Sequence, residues 1–137
     1  MTMTLTDTGP LIALVDRGDK AHRICTDQLK VLTHPLLTTW PCVSEAMHLL
    51  NNVGGHFAQD VLWGYILDGL VAIHESDLAE RTRMRELMAK YKDTPMDLAD
   101  ASLVAAAEVL SVRRIFTVDS DLIVYRLPGK QSFEIVP

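Results

Sequence analysis

The residues able to do chemistry in this chain are carboxylates, and four of them stand where a carboxylate needs a reason: Asp7, Glu45, Asp100 and Asp119. Asp100 is the most informative. It lies in Leu98-Ala99-Asp100-Ala101-Ser102-Leu103-Val104-Ala105-Ala106-Ala107, a helical run with almost no polar side to turn outward, and such helices are normally buried. An unpartnered carboxylate there is costly when ionised, or else takes up a proton. The run offers no Lys or Arg before Arg113. Compensation must come from a salt bridge elsewhere in the fold or, as the better reading, from a bound metal ion. Asp97 has a simpler explanation: three residues after Thr94 it completes a Thr-x-x-Asp cap, whereas Asp100 lies one turn too deep to cap anything.

The other three acids have ordinary explanations as well as functional ones. Asp7 precedes Thr8-Gly9-Pro10 and suits a helix N-cap; Asp119, in Val118-Asp119-Ser120-Asp121, suits a turn. Glu45 forms a narrow polar stripe with Ser44 and His48, which a solvated helix face would also explain. If the four meet, they repel one another unless divalent cations neutralise them. Ligation by oxygen alone favours hard ions, Mg²⁺ or Mn²⁺, held at about 2.0–2.1 Å.

Charge and composition are consistent with such a centre. Thirteen Lys and Arg face eighteen Asp and Glu, a net charge of −5, which argues against coating nucleic acid by blanket electrostatics. Setting the four acids aside leaves fourteen against thirteen, so the acidity of the chain could belong largely to the site. Basic positions at Arg81, Arg83, Arg85, Lys90, Lys92, Arg113 and Arg114 read as ordinary solvated surface. The five histidines lack HxxxH or HExxH spacing, which removes zinc chemistry. No Gly-rich phosphate loop and no Gly-x-Ser-x-Gly elbow is present, so nucleotide cofactors and a hydrolase triad have no anchor. Trp40 and Trp63 read as core, and Cys25 and Cys42 as buried reduced thiols. No apolar stretch approaches the roughly twenty residues of a membrane span, and residues 1–5 show no basic or apolar leader, so a cytoplasmic protein without membrane contact is expected.

The elements that must position these acids alternate. Short strands are expected at 3–6, 36–39, 70–73, 114–118 and 132–136, with helices from Gly9-Pro10, over 20–32, from Pro41 to a break at 51–55, from there to Asp68-Gly69, from an Asp77/Glu80 capping box to about Tyr91, and from 94 to 110. A chain of 137 residues with this order implies one α/β domain, an α/β/α sandwich around a central, mostly parallel sheet. Sites in such folds lie beyond the carboxyl ends of the strands, where Asp7 and Asp119 fall.

In order and spacing, Asp7-Thr8-Gly9-Pro10-Leu11-Ile12-Ala13-Leu14, Ser44-Glu45, Asp100-Ala101-Ser102-Leu103 and Thr117-Val118-Asp119-Ser120-Asp121 resemble the motifs of PIN-domain ribonucleases, and most of all the VapC-type toxins of toxin–antitoxin pairs. The resemblance spans the chain. It implies Asp7, Glu45, Asp100 and Asp119 as the catalytic and metal-holding acids, Thr8 and Thr117 as their accompanying hydroxyls, and Asp97 and Asp121 as secondary acids; Leu122 departs from the family's usual Phe. It also implies Mg²⁺- or Mn²⁺-dependent cleavage of RNA, a small cognate antitoxin and a homodimer. In that role Asp7, Asp100 and Asp119 would ligate ions directly or through one water, with Glu45 orienting the attacking water or completing the cage. An RNA-processing nuclease without an antitoxin, or a catalytically silent module of the same fold, would share these residues. A receiver domain would not: it needs paired acids after the first strand and a Lys after the last.

Overall fold

In the computed structural model, residues 2–94, 96–119, 125 and 131–137 are described; Asp121 and Leu122 lie outside them. Five strands form one parallel sheet: β1 (Thr4–Thr6), β2 (Leu36–Thr39), β3 (Val71–His74), β4 (Arg114–Phe116) and β5 (Glu134–Val136), in the order β3-β2-β1-β4-β5. Register runs Leu5 opposite Leu37 on one side of β1 and opposite Ile115 on the other. The helices are α1 (Thr8–Val15), α2 (His22–Leu29), α3 (Trp40–Leu67), α4 (Leu78–Lys90) and α5 (Leu98–Leu110).

Every residue of β1 and β2 is buried, as expected where helices cover both faces of a parallel sheet. Neighbouring residues on a strand point to opposite faces, and the apolar clusters divide accordingly. Leu37 and Ile115 join a large cluster with α3, α4 and α5, whereas Leu36 and Phe116 join a smaller one with Ala13, Leu14 and Cys25 of α1 and α2. The α/β/α layering expected from the alternation is therefore present. Both thiols are free and buried, and burial pushes Cys42 up to about 12. Among the described residues no helix is long and apolar enough to cross a membrane.

The expected break at 51–55 narrows to one residue. Gly55 sits at φ 61°, ψ −150°, a conformation that only glycine adopts without strain, and helix continues on either side of it. The last strand begins two residues later than expected, and β4 ends two residues earlier, at Phe116. Ser111 closes α5 in the left-handed region at φ 56°.

Three local expectations are corrected. The helix expected from 94 begins at Leu98, because Asp97 is extended (φ −92°, ψ −179°) and is itself the N-cap. Asp100 is then the third helical residue, not one turn too deep: its backbone N–H donates to Asp97 Oδ1 at 2.8 Å, and its own Oδ2 accepts from the Asp97 N–H at 3.4 Å, a reciprocal capping box. The Asp77 box is only half made. Asp77 accepts from the Glu80 N–H at 2.9 Å, but the Glu80 side chain turns to His74 instead. Finally, Trp40 and Trp63 are not core: they are 44% and 41% exposed.

Candidate active site

The strand order reverses between β1 and β4, since the chain steps from β1 to β2 and β3 on one side and then adds β4 and β5 on the other. A crevice opens at such a switch point beyond the strand ends. Asp7 follows β1 and Asp119 lies three residues beyond β4, so both stand at its mouth. A cleft of about 300 Å³ occupies this place, lined by Asp7, Glu45, Asp97, Asp100 and Asp119 together with Thr8, Gly9, Ile12, Leu49, Ala99 and Val118. All four acids singled out in the sequence thus meet, and Asp97 joins them.

Asp7 is the deepest, with 7% of its surface exposed. It is the N-cap of α1 and also a wall of the cleft, so its two explanations hold together. Oδ1 accepts from the Thr8 N–H at 2.8 Å, and Oδ2 accepts from the Thr117 hydroxyl at 2.9 Å. That hydroxyl in turn accepts from the Asp119 N–H at 3.0 Å, which ties the loop after β4 to the end of β1. Thr8 is buried, and its hydroxyl reaches the Cys42 carbonyl at 3.5 Å, the long end of the hydrogen-bond range. The loop after β4 also packs closely over Gly9: a Cβ there would stand 2.6 Å from Val118 Cγ2.

On α3, Ser44, Glu45 and His48 are all exposed, so the polar stripe is real and its Glu45 end borders the cleft. On α5, a buried hydroxyl pair fixes the first turn. Thr39 Oγ1 and Ser102 Oγ are 2.6 Å apart, and Ser102 also donates to the Ala99 carbonyl at 2.7 Å. Asp100 has one further partner, the hydroxyl of fully buried Tyr125, which donates to Oδ2 at 3.2 Å. Tyr125 packs edge-on against Tyr91 with ring centroids 5.0 Å apart. No sequence signal singles out Tyr125 among the scattered aromatics, because this contact joins residues 25 apart across the fold.

The electrostatics follow from crowding. Burial first, then the Asp97 and Asp7 carboxylates, raises Asp100 to about 7; the Asp97 N–H and Tyr125 oppose the shift. Asp7 is raised by burial, and Asp119 and Asp97 add to this against its hydrogen bonds to Thr8 and Thr117. Glu45 is raised by burial and by Asp97, Asp7 and Asp119. Among the described residues no Lys or Arg lines the cleft, and the salt bridge that would have given Asp100 an ordinary role is absent as well. Several basic side chains are engaged elsewhere: Arg83 with Glu108 and Glu86, and Arg114 with Glu134.

Such a cleft is short of positive charge, and its donors are all oxygen, which fits a hard divalent ion. The cage is not ready-made, however. No three His, Cys, Asp or Glu side chains among the described residues stand close enough to hold an ion unaided. Size alone does not pick the site either. A larger concavity, about 720 Å³, lies between α1, α2 and the second half of α3, and its lining among the described residues is mainly apolar, with Leu14, Phe57 and Tyr65 and no carboxylate.

The PIN domain profile matches residues 4–128. The chain belongs to the PIN-domain family. Among solved structures, this PIN domain is similar to VapC20 of Mycobacterium tuberculosis, a toxin cleaving the sarcin–ricin loop, with a TM-score of 0.80 at 19% identity over 86% of this chain and 91% of that one. It is also similar to FitAcB from Neisseria gonorrhoeae, with a TM-score of 0.58 at 16% identity over 87% and 89% of the two chains. At such identities the likeness concerns the fold. A search of curated proteins finds no significant match.

Proposed function

We propose that this PIN domain is an endoribonuclease dependent on Mg²⁺ or Mn²⁺ that hydrolyses RNA phosphodiester bonds, and that it is the toxin of a type II toxin–antitoxin pair. The observation that carries the reading is the convergence of Asp7, Glu45, Asp97, Asp100 and Asp119 on one cleft, with no basic side chain among its described lining residues. Family membership and the VapC20-like fold support it.

Asp7, Asp100 and Asp119 would hold the ion or ions, since they come from three elements facing the same space. When bound, divalent ions supply Lewis acidity for the attacking water and the departing oxygen of an in-line displacement. The chain's own residues do the rest. Thr8 and Thr117 fix both oxygens of Asp7 by hydrogen bonds, so the carboxylate presents its remaining lone pairs in one orientation. Glu45 is exposed at the cleft edge and its proton affinity is raised, which suits it to orient the attacking water and accept its proton. An RNA phosphate approaches this acidic mouth only after its charge is offset. As a toxin the protein would act in the cytoplasm, be held silent by a small cognate antitoxin and pair as a homodimer.

The test is cleavage of a mixed-sequence RNA by purified protein with Mn²⁺, with Mg²⁺ and with EDTA, beside Asp7→Asn. Ion-dependent cleavage lost in the variant is expected. Cleavage that survives both EDTA and Asp7→Asn overturns the assignment. For the biological role, induced expression should arrest growth, and co-expression of the adjacent small reading frame should relieve the arrest; growth unaffected by an active enzyme would remove the toxin reading while leaving the nuclease.

A further inference from the structure

A second concavity, of about 220 Å³, lies next to the acidic cleft at the carboxyl ends of β2 and β3. The first turn of α5 is the wall between them: Leu98 and Ser102 face this pocket, Asp97, Ala99 and Asp100 face the cleft. Helix α3 spans both, with Trp40 at the pocket and Glu45 at the cleft. A ligand that passed along the cleft would therefore bring its neighbouring group to this pocket.

The pocket combines two planar groups with one buried acceptor. The half-exposed Trp40 indole is tethered, its Nε1–H donating to Glu75 Oε1 at 2.9 Å. The Arg81 guanidinium is held flat by two bonds to Ser76, Nε to the hydroxyl at 3.2 Å and Nη2 to the carbonyl at 2.9 Å. Glu80, only 5% exposed, shares Oε2 with His74 Nε2 at 2.8 Å. Its Oε1 has no hydrogen-bond partner among the described residues, although Glu80 belongs to the pocket wall. Thr39, Pro41, Met84 and Leu98 make up most of the remaining lining. Glu80 thus gives up half of its capping box to place a carboxylate here, and its second oxygen is left to solvent or to a donor on a ligand.

Resting on the nuclease reading above, we infer that this pocket is a nucleobase subsite, which takes one unstacked base of the RNA beside the scissile phosphate and selects bases carrying an exocyclic amino group. Single-stranded RNA is read in this way, by stacking on aromatic rings and guanidinium planes with hydrogen bonds to the base edge. A carboxylate oxygen accepts from the amino group of cytosine, adenine or guanine. Uracil turns a carbonyl oxygen toward it at the same place and is repelled. A protein side chain in the pocket would use the apolar lining but would leave no reason for two tethered planes.

Neutral nucleosides test the subsite without a phosphate backbone and without metal. In a Trp63→Phe background the indole of Trp40 is the sole tryptophan reporter. Saturable quenching by cytidine, adenosine and guanosine is expected, with uridine about tenfold weaker, the value of roughly one good edge hydrogen bond or stacked base. Glu80→Gln should erase the difference between cytidine and uridine. Because Glu80 is buried, circular dichroism checks the fold, and exposed Arg81→Ala provides a second variant, which should weaken all nucleosides severalfold and keep their order. In RNA cleavage with Mn²⁺, Trp40→Ala and Glu80→Gln should raise KM and flatten base preference next to the cut. No saturable quenching by any nucleoside, or uridine equal to cytidine, overturns the subsite. If RNA is nevertheless cut in an Asp7-dependent way, the nuclease reading stands alone. Quenching as expected in a protein that never cuts RNA would keep the base pocket and remove the nuclease.

Discussion

The hydroxyl of Thr117 donates to Asp7 Oδ2 at 2.9 Å, joining residues 110 apart in the chain, and the hydroxyl oxygen itself accepts the Asp119 N–H at 3.0 Å. One side chain thus orients one candidate ligand and anchors the backbone of another. It does so at the seam between β1 and β4, where the strand order switches sides.

Thr117→Val keeps the shape and removes both hydrogen bonds. A bond to a charged acceptor contributes about 1.5–3 kcal/mol, so the variant should melt several degrees lower, and RNA cleavage should fall at least about tenfold because Asp119 loses its tether. Thr117→Ser should restore both. Calorimetry and a cleavage assay on the three proteins decide it; a valine variant with normal turnover would show that the hydroxyl positions nothing.

In the absence of divalent ions, Asp100 binds its proton more tightly in the folded chain, at about 7, than at its ordinary 3.8. Its favourable contribution is complete below about pH 4 and is lost as pH rises through 7. Denaturation midpoints in EDTA should accordingly decline from pH 5 to pH 8. Asp100→Asn, which still offers a carbonyl oxygen to Tyr125 and to the Asp97 N–H, should flatten that decline and be the more stable protein at pH 8. An identical slope in both proteins would refute the role given to Asp100.

Divalent ions should reverse the loss. An ion that binds only the folded chain stabilises by about 2.7 kcal/mol at a hundred times its dissociation constant. Mn²⁺ or Mg²⁺ should therefore raise the melting temperature more at pH 8 than at pH 6, since protons compete for the same oxygens. Sodium chloride at equal ionic strength should do less, and Asp119→Asn should diminish the effect. A shift that salt reproduces would mean simple screening.

Gly9→Ala places a methyl 2.6 Å from Val118 Cγ2. Valine is stiff at χ1, so the loop carrying Asp119 must move. Activity should fall while the melting temperature changes little, and Val118→Ala added to Gly9→Ala should recover most of the loss. Failure of the double variant to recover would place the defect elsewhere.

Ser111 closes α5 at φ 56°, a region that costs a residue with a Cβ about 1 kcal/mol or more. Ser111→Gly should raise the melting temperature by a few degrees without touching cleavage. An unchanged or lower value would mean that the serine side chain compensates the strain.

The layered fold was legible because strands and helices alternate with clear punctuation, and because the apolar run after Asp97 allows few placements for α5. Asp100 stood out for the same reason: a lone acid among alanines has no surface to turn to. Its local role was misread, since Thr94 and Asp97 are both good caps on paper and only the extended backbone at Asp97 decides between them. Glu80 was assigned to Asp77 by spacing, but spacing cannot register a competitor such as His74, which arrives from a neighbouring strand. The exposure of Trp40 was invisible because its ring lies at a helix start beside strand ends, where periodicity carries no information. Tyr125 reaches Asp100 through tertiary structure alone.

The middle strand of the sheet is the first to be synthesised, and its partner on the far side, β4, comes more than a hundred residues later. A chain halted before that partner has Asp7 holding only the Thr8 amide, no Thr117 hydroxyl and no Asp119. On the nuclease reading, the set of acids is therefore complete only once β4 has joined the sheet beside β1.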